Sequence, residues 1–268
     1  MDINLVQIIF LVIVTGIVGY IGGLVGMPLG PVRLFFFLIL GIPPLVAIGT
    51  NLAVSFISVI SVIWPHVKNS NIDYKVALYF GGFSLLGSFI GGLMSENAPL
   101  EILIWLIVFF LFISALLIVK NVHFKKQDIQ KKMKTKFSDN NFSKNVFSNL
   151  LGMLIGILGG ATGLVLGALR YPILVNYLKI SARKTAGTNS MINLFAAIFG
   201  LSGHGLISRI SGNSHFDYKI FIPLAIVVSL TSFWGAKSIG KFSEIFLLKL
   251  LYVTLFVMTL VMLLRQLI

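Results

Sequence analysis

The chain has 268 residues, of which 57% are hydrophobic and 11% charged, against about 25% charged in a typical soluble domain. A soluble fold of this size would expose apolar patches beyond what a monomer tolerates, so lipid is the solvent the composition asks for. Cysteine is absent, which excludes disulfides, thiolate metal sites and a cysteine nucleophile, and the net charge of +13 sits mostly in short connectors, where it points to a membrane and not to nucleic acid.

The first apolar segment, Leu5–Val25, is long enough to span a bilayer. It follows Met1-Asp2-Ile3-Asn4, which lacks the basic start of a secretory signal, so it reads as a retained helix. Further spans are predicted over 44–65, 76–94, 101–119, 146–168, 186–202, 219–236 and 245–264. Two shorter apolar stretches, 32–41 and 171–178, lie between them. A helix of that length covers about 16 Å, roughly half of the hydrocarbon thickness. They therefore read as half-helices or pieces of broken spans, which are tolerated only inside protein or along a wet cavity. The polar stretch Lys120–Asn145 carries eight lysines against Asp128 and Asp139. It reads as a basic cytoplasmic linker between a first membrane unit, 1–119, and a second, 146–268.

The two units resemble each other. At a shift of 137, Gly19, Gly22, Gly23, Gly26, Gly30 and Arg33 fall on Gly156, Gly159, Gly160, Gly163, Gly167 and Arg170. At a shift of 138, Gly49-Thr50-Asn51 falls on Gly187-Thr188-Asn189, and His66 falls on His204. At a shift of 144, Asp73-Tyr74-Lys75 falls on Asp217-Tyr218-Lys219. The fold expected is an all-α polytopic membrane protein of two tandem repeats, each with four or five membrane segments including short broken helices. Counting Lys and Arg on each side favours an inverted topology, with both termini outside.

Gly26 and Gly30, and Gly163 and Gly167, end glycine runs that lead through Pro28, Pro31 or Pro172 into the short segments. Close helix packing is the plain reading of such runs. A break at those points would also free N–H groups at a new helix N-terminus, which favours anions. Arg33 and Arg170 follow each run, and a guanidinium at that depth is costly and matches oxyanions, unless it snorkels to the headgroups. Thr50, Asn51, Thr188 and Asn189 put polar groups inside apolar spans, with Ser55 and Asn193 one turn on, either as hydrogen-bonding glue or beside a pathway. His66 and His204 suggest proton coupling, with interfacial placement as the plainer reading. Asp73 and Asp217 read as N-caps. No spacing for a metal, a nucleotide loop or paired carboxylates is present, so no metal or cofactor is expected.

The residues GLVGMPLGPVRLFFFLILGIPPLVAIGTNLAV and GGATGLVLGALRYPILVNYLKISARKTAGTN resemble the sulfite exporter TauE/SafE family. The family shows a glycine-rich run, a Pro-led apolar segment and a small-residue GT motif in both halves. Here Met27-Pro28-Leu29 and Leu164-Val165-Leu166 stand where a triple glycine is usual. The resemblance implies a multi-pass permease of a prokaryotic plasma membrane that carries sulfite, sulfonates or other small organic anions. Its expected partners are that small anion and the lipid bilayer, with a homo-oligomer left open. The alternatives are a channel-like anion pore, a lipid-modifying membrane enzyme and a non-transporting assembly subunit.

Overall fold

The computed structural model describes residues 4–124, 142–178 and 180–267, and their regular structure is entirely helical. Ten helices follow one another: α1 (Leu5–Val25), α2 (Gly30–Ile39), α3 (Pro44–Lys68), α4 (Tyr74–Leu93), α5 (Leu100–Phe124), α6 (Phe142–Thr162), α7 (Gly167–Pro172), α8 (Ala182–Ser211), α9 (Tyr218–Ser238) and α10 (Glu244–Leu267). Six of them, α1, α3, α4, α8, α9 and α10, are long and apolar enough to cross a membrane. The segment expected over 171–178 is divided: α7 ends at Pro172, and the chain continues as a π-helical turn, Ile173–Tyr177. Proline lacks the amide hydrogen that an α-helical register would use, so a change of register there is physically reasonable. The linker expected at Lys120–Asn145 falls outside the described residues over 125–141, and its two flanks extend α5 and α6.

Local signals set the helix ends. Asn4 and Gln7 form a reciprocal capping box at the start of α1. Asp73 accepts the amide of Val76, and Asp217 accepts those of Lys219 and Ile220, so both aspartates are N-caps. Pro43 and Pro44 precede and open α3, where a missing N–H costs nothing.

Packing puts polar groups inside and apolar groups outside. Ile13, Trp64, Leu78, Leu154, Ile226 and Trp234 are exposed on the perimeter, whereas Thr50, Asn51, Ser55, Thr188, Asn189 and Asn193 are fully buried. These polar groups sit within an otherwise apolar core, and an apolar perimeter around it suits a lipid surround. The central helices are α3 and α8, which touch each other; α3 packs on α9 and α8 packs on α4. Contacts across the linker come in exchanged pairs: α1 lies on α9 as α6 lies on α4, and α3 lies on α9 as α8 lies on α4. The α5–α10 pair closes one flank, with α2 against α10 and α7 against α5.

Glycines bring these backbones together. A Cβ on Gly91 of α4 would stand 2.1 Å from the carbonyl oxygen of Ile157 in α6, and one on Gly23 of α1 would stand 2.2 Å from that of Ser232 in α9. Near one end of α3, Gly49 abuts the His215 carbonyl beyond α8; near the start of α8, Gly187 abuts the Asn71 carbonyl beyond α3. The two central helices therefore run in opposite directions.

Candidate functional site

Two breaks, between α1 and α2 and between α6 and α7, meet the central helices. Gly26 at φ 71° and Gly163 at φ 64° turn the chain through the left-handed region, where a side chain is strained. Space forbids a side chain as well: a Cβ on Gly26 would lie 2.3 Å from Ala186 Cα, and one on Gly163 2.4 Å from the Ile48 carbonyl oxygen. Each turn is then tied to the far side of the linker. Asn51 Nδ2 donates to the Gly163 carbonyl at 3.0 Å, and Asn189 Nδ2 donates to the Gly26 carbonyl at 3.2 Å. The threonines beside them act similarly. Thr188 Oγ1 accepts the Asp73 amide at 2.9 Å, and Thr50 Oγ1 accepts the Asp217 amide at 3.1 Å.

Arg33 and Arg170 begin the short helices and are both buried, at 1% exposure, so neither reaches the headgroups. Arg33 Nε donates to Asn51 Oδ1 at 3.1 Å, and its Nη2 donates to Ser55 Oγ at 2.5 Å. Arg170 Nη1 donates to Asn193 Oδ1 at 2.5 Å, and its Nη2 donates to Ser84 Oγ at 2.6 Å. All of these acceptors are neutral. Among the described residues the ion pairs are Arg183–Glu244 and His215–Glu96, and neither includes these two arginines. A buried guanidinium held only by neutral groups keeps an uncompensated charge, which an anion would offset.

The surroundings of Arg170 also leave donors unused. Its own Nε and the amide nitrogen of Asn193 have no hydrogen-bond partner. Gly30 and Gly167 present bare backbone to the asparagines; a Cβ on Gly167 would stand 2.5 Å from Asn193 Nδ2. A narrow crevice lies here, lined by Ser88, Gly159, Gly160 and Arg170 and otherwise by apolar side chains. No side chain caps α2 or α7.

Both histidines are buried within the protein: His66 is 0% exposed and His204 2%. Both ring nitrogens of His66 lack partners. His204 belongs to a chain of contacts. Its Nε2 lies 2.8 Å from the Gly160 carbonyl oxygen and its Nδ1 3.0 Å from His215 Nδ1. His215 Nε2 lies 2.9 Å from Glu96 Oε1, which also accepts from Ser211 Oγ at 2.5 Å. Hydrogen bonds from Ser211 and then His215 hold the Glu96 carboxyl below the usual carboxylate range.

The family model described as sulfite exporter TauE/SafE matches residues 8–262. The chain belongs to that family. It is 27% identical to the "Probable membrane transporter protein YdhB" of Bacillus subtilis, over 92% of this chain and 95% of that one. It is 32% identical to another protein described as a probable membrane transporter, from Methanocaldococcus jannaschii, over 85% of this chain and 83% of that one. No solved structure matches the chain. This TauE/SafE protein is thus a multi-pass membrane transporter and not an enzyme.

Within the TauE/SafE chain, sequence reasoning did not reach Ser84, Glu96 or His215. These three have no matched partner in the other half, so the repeat does not mark them. At the shift of 144 they face Val228, Gly240 and Asn71. Burial of a lone serine in a helix of mixed composition leaves no periodic signal, so Ser84 was legible only once α4 had been placed against α7 and α8.

Proposed function

We propose that the chain is a secondary transporter of a small anion, with sulfite, sulfonates and other organosulfur or organic anions as the substrate class. The observation that carries this reading is Arg170: buried, held by two neutral oxygens, with Nε unused, in the wall of a crevice. A guanidinium in that state offers a planar donor face to a sulfite or sulfonate oxygen pair. Arg33 supplies the corresponding charge at the other break, and Gly26, Gly30, Gly163 and Gly167 leave room for backbone approach. Asn51 and Asn189 hold the breaks at their working separation. Thr50 and Thr188 are engaged with the starts of α9 and α4, so they position the frame and touch substrate only if those bonds exchange.

Alternating access fits this frame. The opposed directions of α3 and α8, and the exchanged contacts across the linker, support two inverted repeats that rock against one another. The small residues between α1 and α9 and between α4 and α6 give flat, close surfaces on which such sliding is mechanically easy.

Flux into proteoliposomes tests the reading, with sulfite, thiosulfate, a sulfonate and a small carboxylate as probes, for wild type and Arg170→Gln. Saturable uptake of one anion, lost in the variant, is the expected result. Linear, unsaturable flux would replace it with a channel-like pore. No flux under any imposed proton gradient or potential would overturn transport of these anions.

A further inference from the structure

The contacts around His204 have a fixed proton arithmetic. A carbonyl oxygen only accepts, so His204 Nε2 carries a proton, which it donates to the Gly160 carbonyl. The Ser95 hydroxyl lies 3.2 Å from His204 Nδ1, and its one proton goes to the Gly92 carbonyl at 2.7 Å. A carboxylate also only accepts, so His215 Nε2 donates to ionised Glu96. One proton then remains for the 3.0 Å contact between the two Nδ1 atoms. On His215 Nδ1 it makes His215 the imidazolium; on His204 Nδ1 it makes His204 the imidazolium. Moving it breaks one N–H bond and forms another, and no side chain has to turn.

We propose that Glu96, His215 and His204 form a proton site that loads one proton beside the crevice for each anion carried. It rests on the transport reading above, and it names the co-substrate of that same pathway. Glu96, at the turn between α4 and α5, and His215, in the connection from α8 to α9, are the outer end. His204 is the inner end, and Gly160, which it touches, lines the crevice that Arg170 also lines. The polar groups that touch His204 are Ser95 from the turn, His215 from the connection and the Gly160 carbonyl from α6, and Glu96 reaches it through His215. Arg170 lines the same crevice as Gly160, and its charge would oppose a second cation there unless an anion lay between them. Proton and anion therefore favour each other's binding, which is the condition for coupling. The other histidine lacks this chain. At the shift of 144, Asn71 stands where His215 would be and Gly240 where Glu96 would be, and His66 has no partner at either nitrogen.

Proteoliposomes loaded with a pH dye and given labelled sulfite test the coupling. With one proton per anion, each unit of inward pH gradient raises accumulation about tenfold. His215→Asn and Glu96→Gln are expected to abolish that dependence and the dye signal. Retention of the tenfold response in both variants would overturn the proposal. Nitrogen NMR of the histidines, on substrate-free protein in lipid nanodiscs, reads the site without flux. His204 and His215 should share one proton, seen as coupling between their two Nδ1 atoms, with that signal lost in His215→Asn and the His66 signal unmoved. Absence of a proton shared between the two rings sinks the proton site, whatever the flux. A shared proton with no flux of any tested anion sinks the transport reading and leaves the proton site standing.

Discussion

The two breaks differ most where their backbones agree most. Gly26 and Gly163 have the same left-handed turn, and each carbonyl is held by an asparagine from across the linker. The arginines that follow diverge. Arg33 spends its donors on Asn51 and Ser55, both on α3, the next helix of the chain. Arg170 bridges two helices, Asn193 on α8 and Ser84 on α4, and keeps Nε free beside a crevice. The histidines diverge in the same sense, since His204 joins a polar chain that His66 lacks. Matched backbone serves the frame that both breaks need. Chemistry collects on one side, where the match has been given up.

The matched part can be broken at the glycines. Gly26→Ala and Gly163→Ala each combine a strained positive φ with a methyl group lodged in a neighbouring backbone, and each is expected to cost about 4 kcal/mol. Thermal unfolding in detergent should show two losses of similar size. Gly205→Ala, where an added Cβ meets nothing within 4 Å, is the control; it should be neutral or stabilising by up to about 1 kcal/mol. A large gap between Gly26 and Gly163 would mean that the frame itself is asymmetric.

The arginines come next. Removing two charge-assisted hydrogen bonds to a bound anion, at about 1.5 kcal/mol each, predicts roughly a 100-fold fall in flux for Arg170→Gln. Arg33→Gln should lower flux less and melting temperature more, because its donors are already committed to α3. Equal losses of flux at equal stability would remove the division of labour between the breaks.

The smallest effect concerns Glu96. Its lowered carboxyl pKa means that its contribution to stability is fully present above the ordinary carboxylate range and is lost as the pH falls through the lowered value. The melting temperature of wild type should exceed that of Glu96→Gln near neutrality, and the gap should close between about pH 5 and 3. A gap that stays constant with pH would show that the carboxylate charge adds nothing to folding.

Much of the architecture could be read from the sequence. Hydropathy located the long spans because lipid imposes a continuous apolar run on each of them. Glycine and proline located both breaks because few other residues tolerate such backbone. The register change after Pro172 was not legible, since α and π turns share an apolar composition. The arginines, asparagines and threonines stood out as polar residues in apolar runs, but their partners did not. Thr188 meets an amide 115 positions earlier, and Asn51 a carbonyl 112 positions later, and no local pattern records such distances. Ser84, Glu96 and His215 were hidden for a further reason, because the repeat marks only what the two halves share and these three have no counterpart.

The exchanged packing of α1 on α9 and of α4 on α6 also bears on how the chain is made. When a ribosome has delivered only the first five helices to the bilayer, α1 and α4 stand without their principal neighbours, and the Asn51 amide has yet to meet the Gly163 carbonyl. Insertion can run ahead of assembly, as membrane helices are individually stable in lipid, but the bundle locks only after α9 arrives. A nascent chain stalled at the linker would therefore be a set of inserted yet unassembled helices, open to membrane proteases. Two fragments divided at that linker and synthesised together would have every surface they need to find each other.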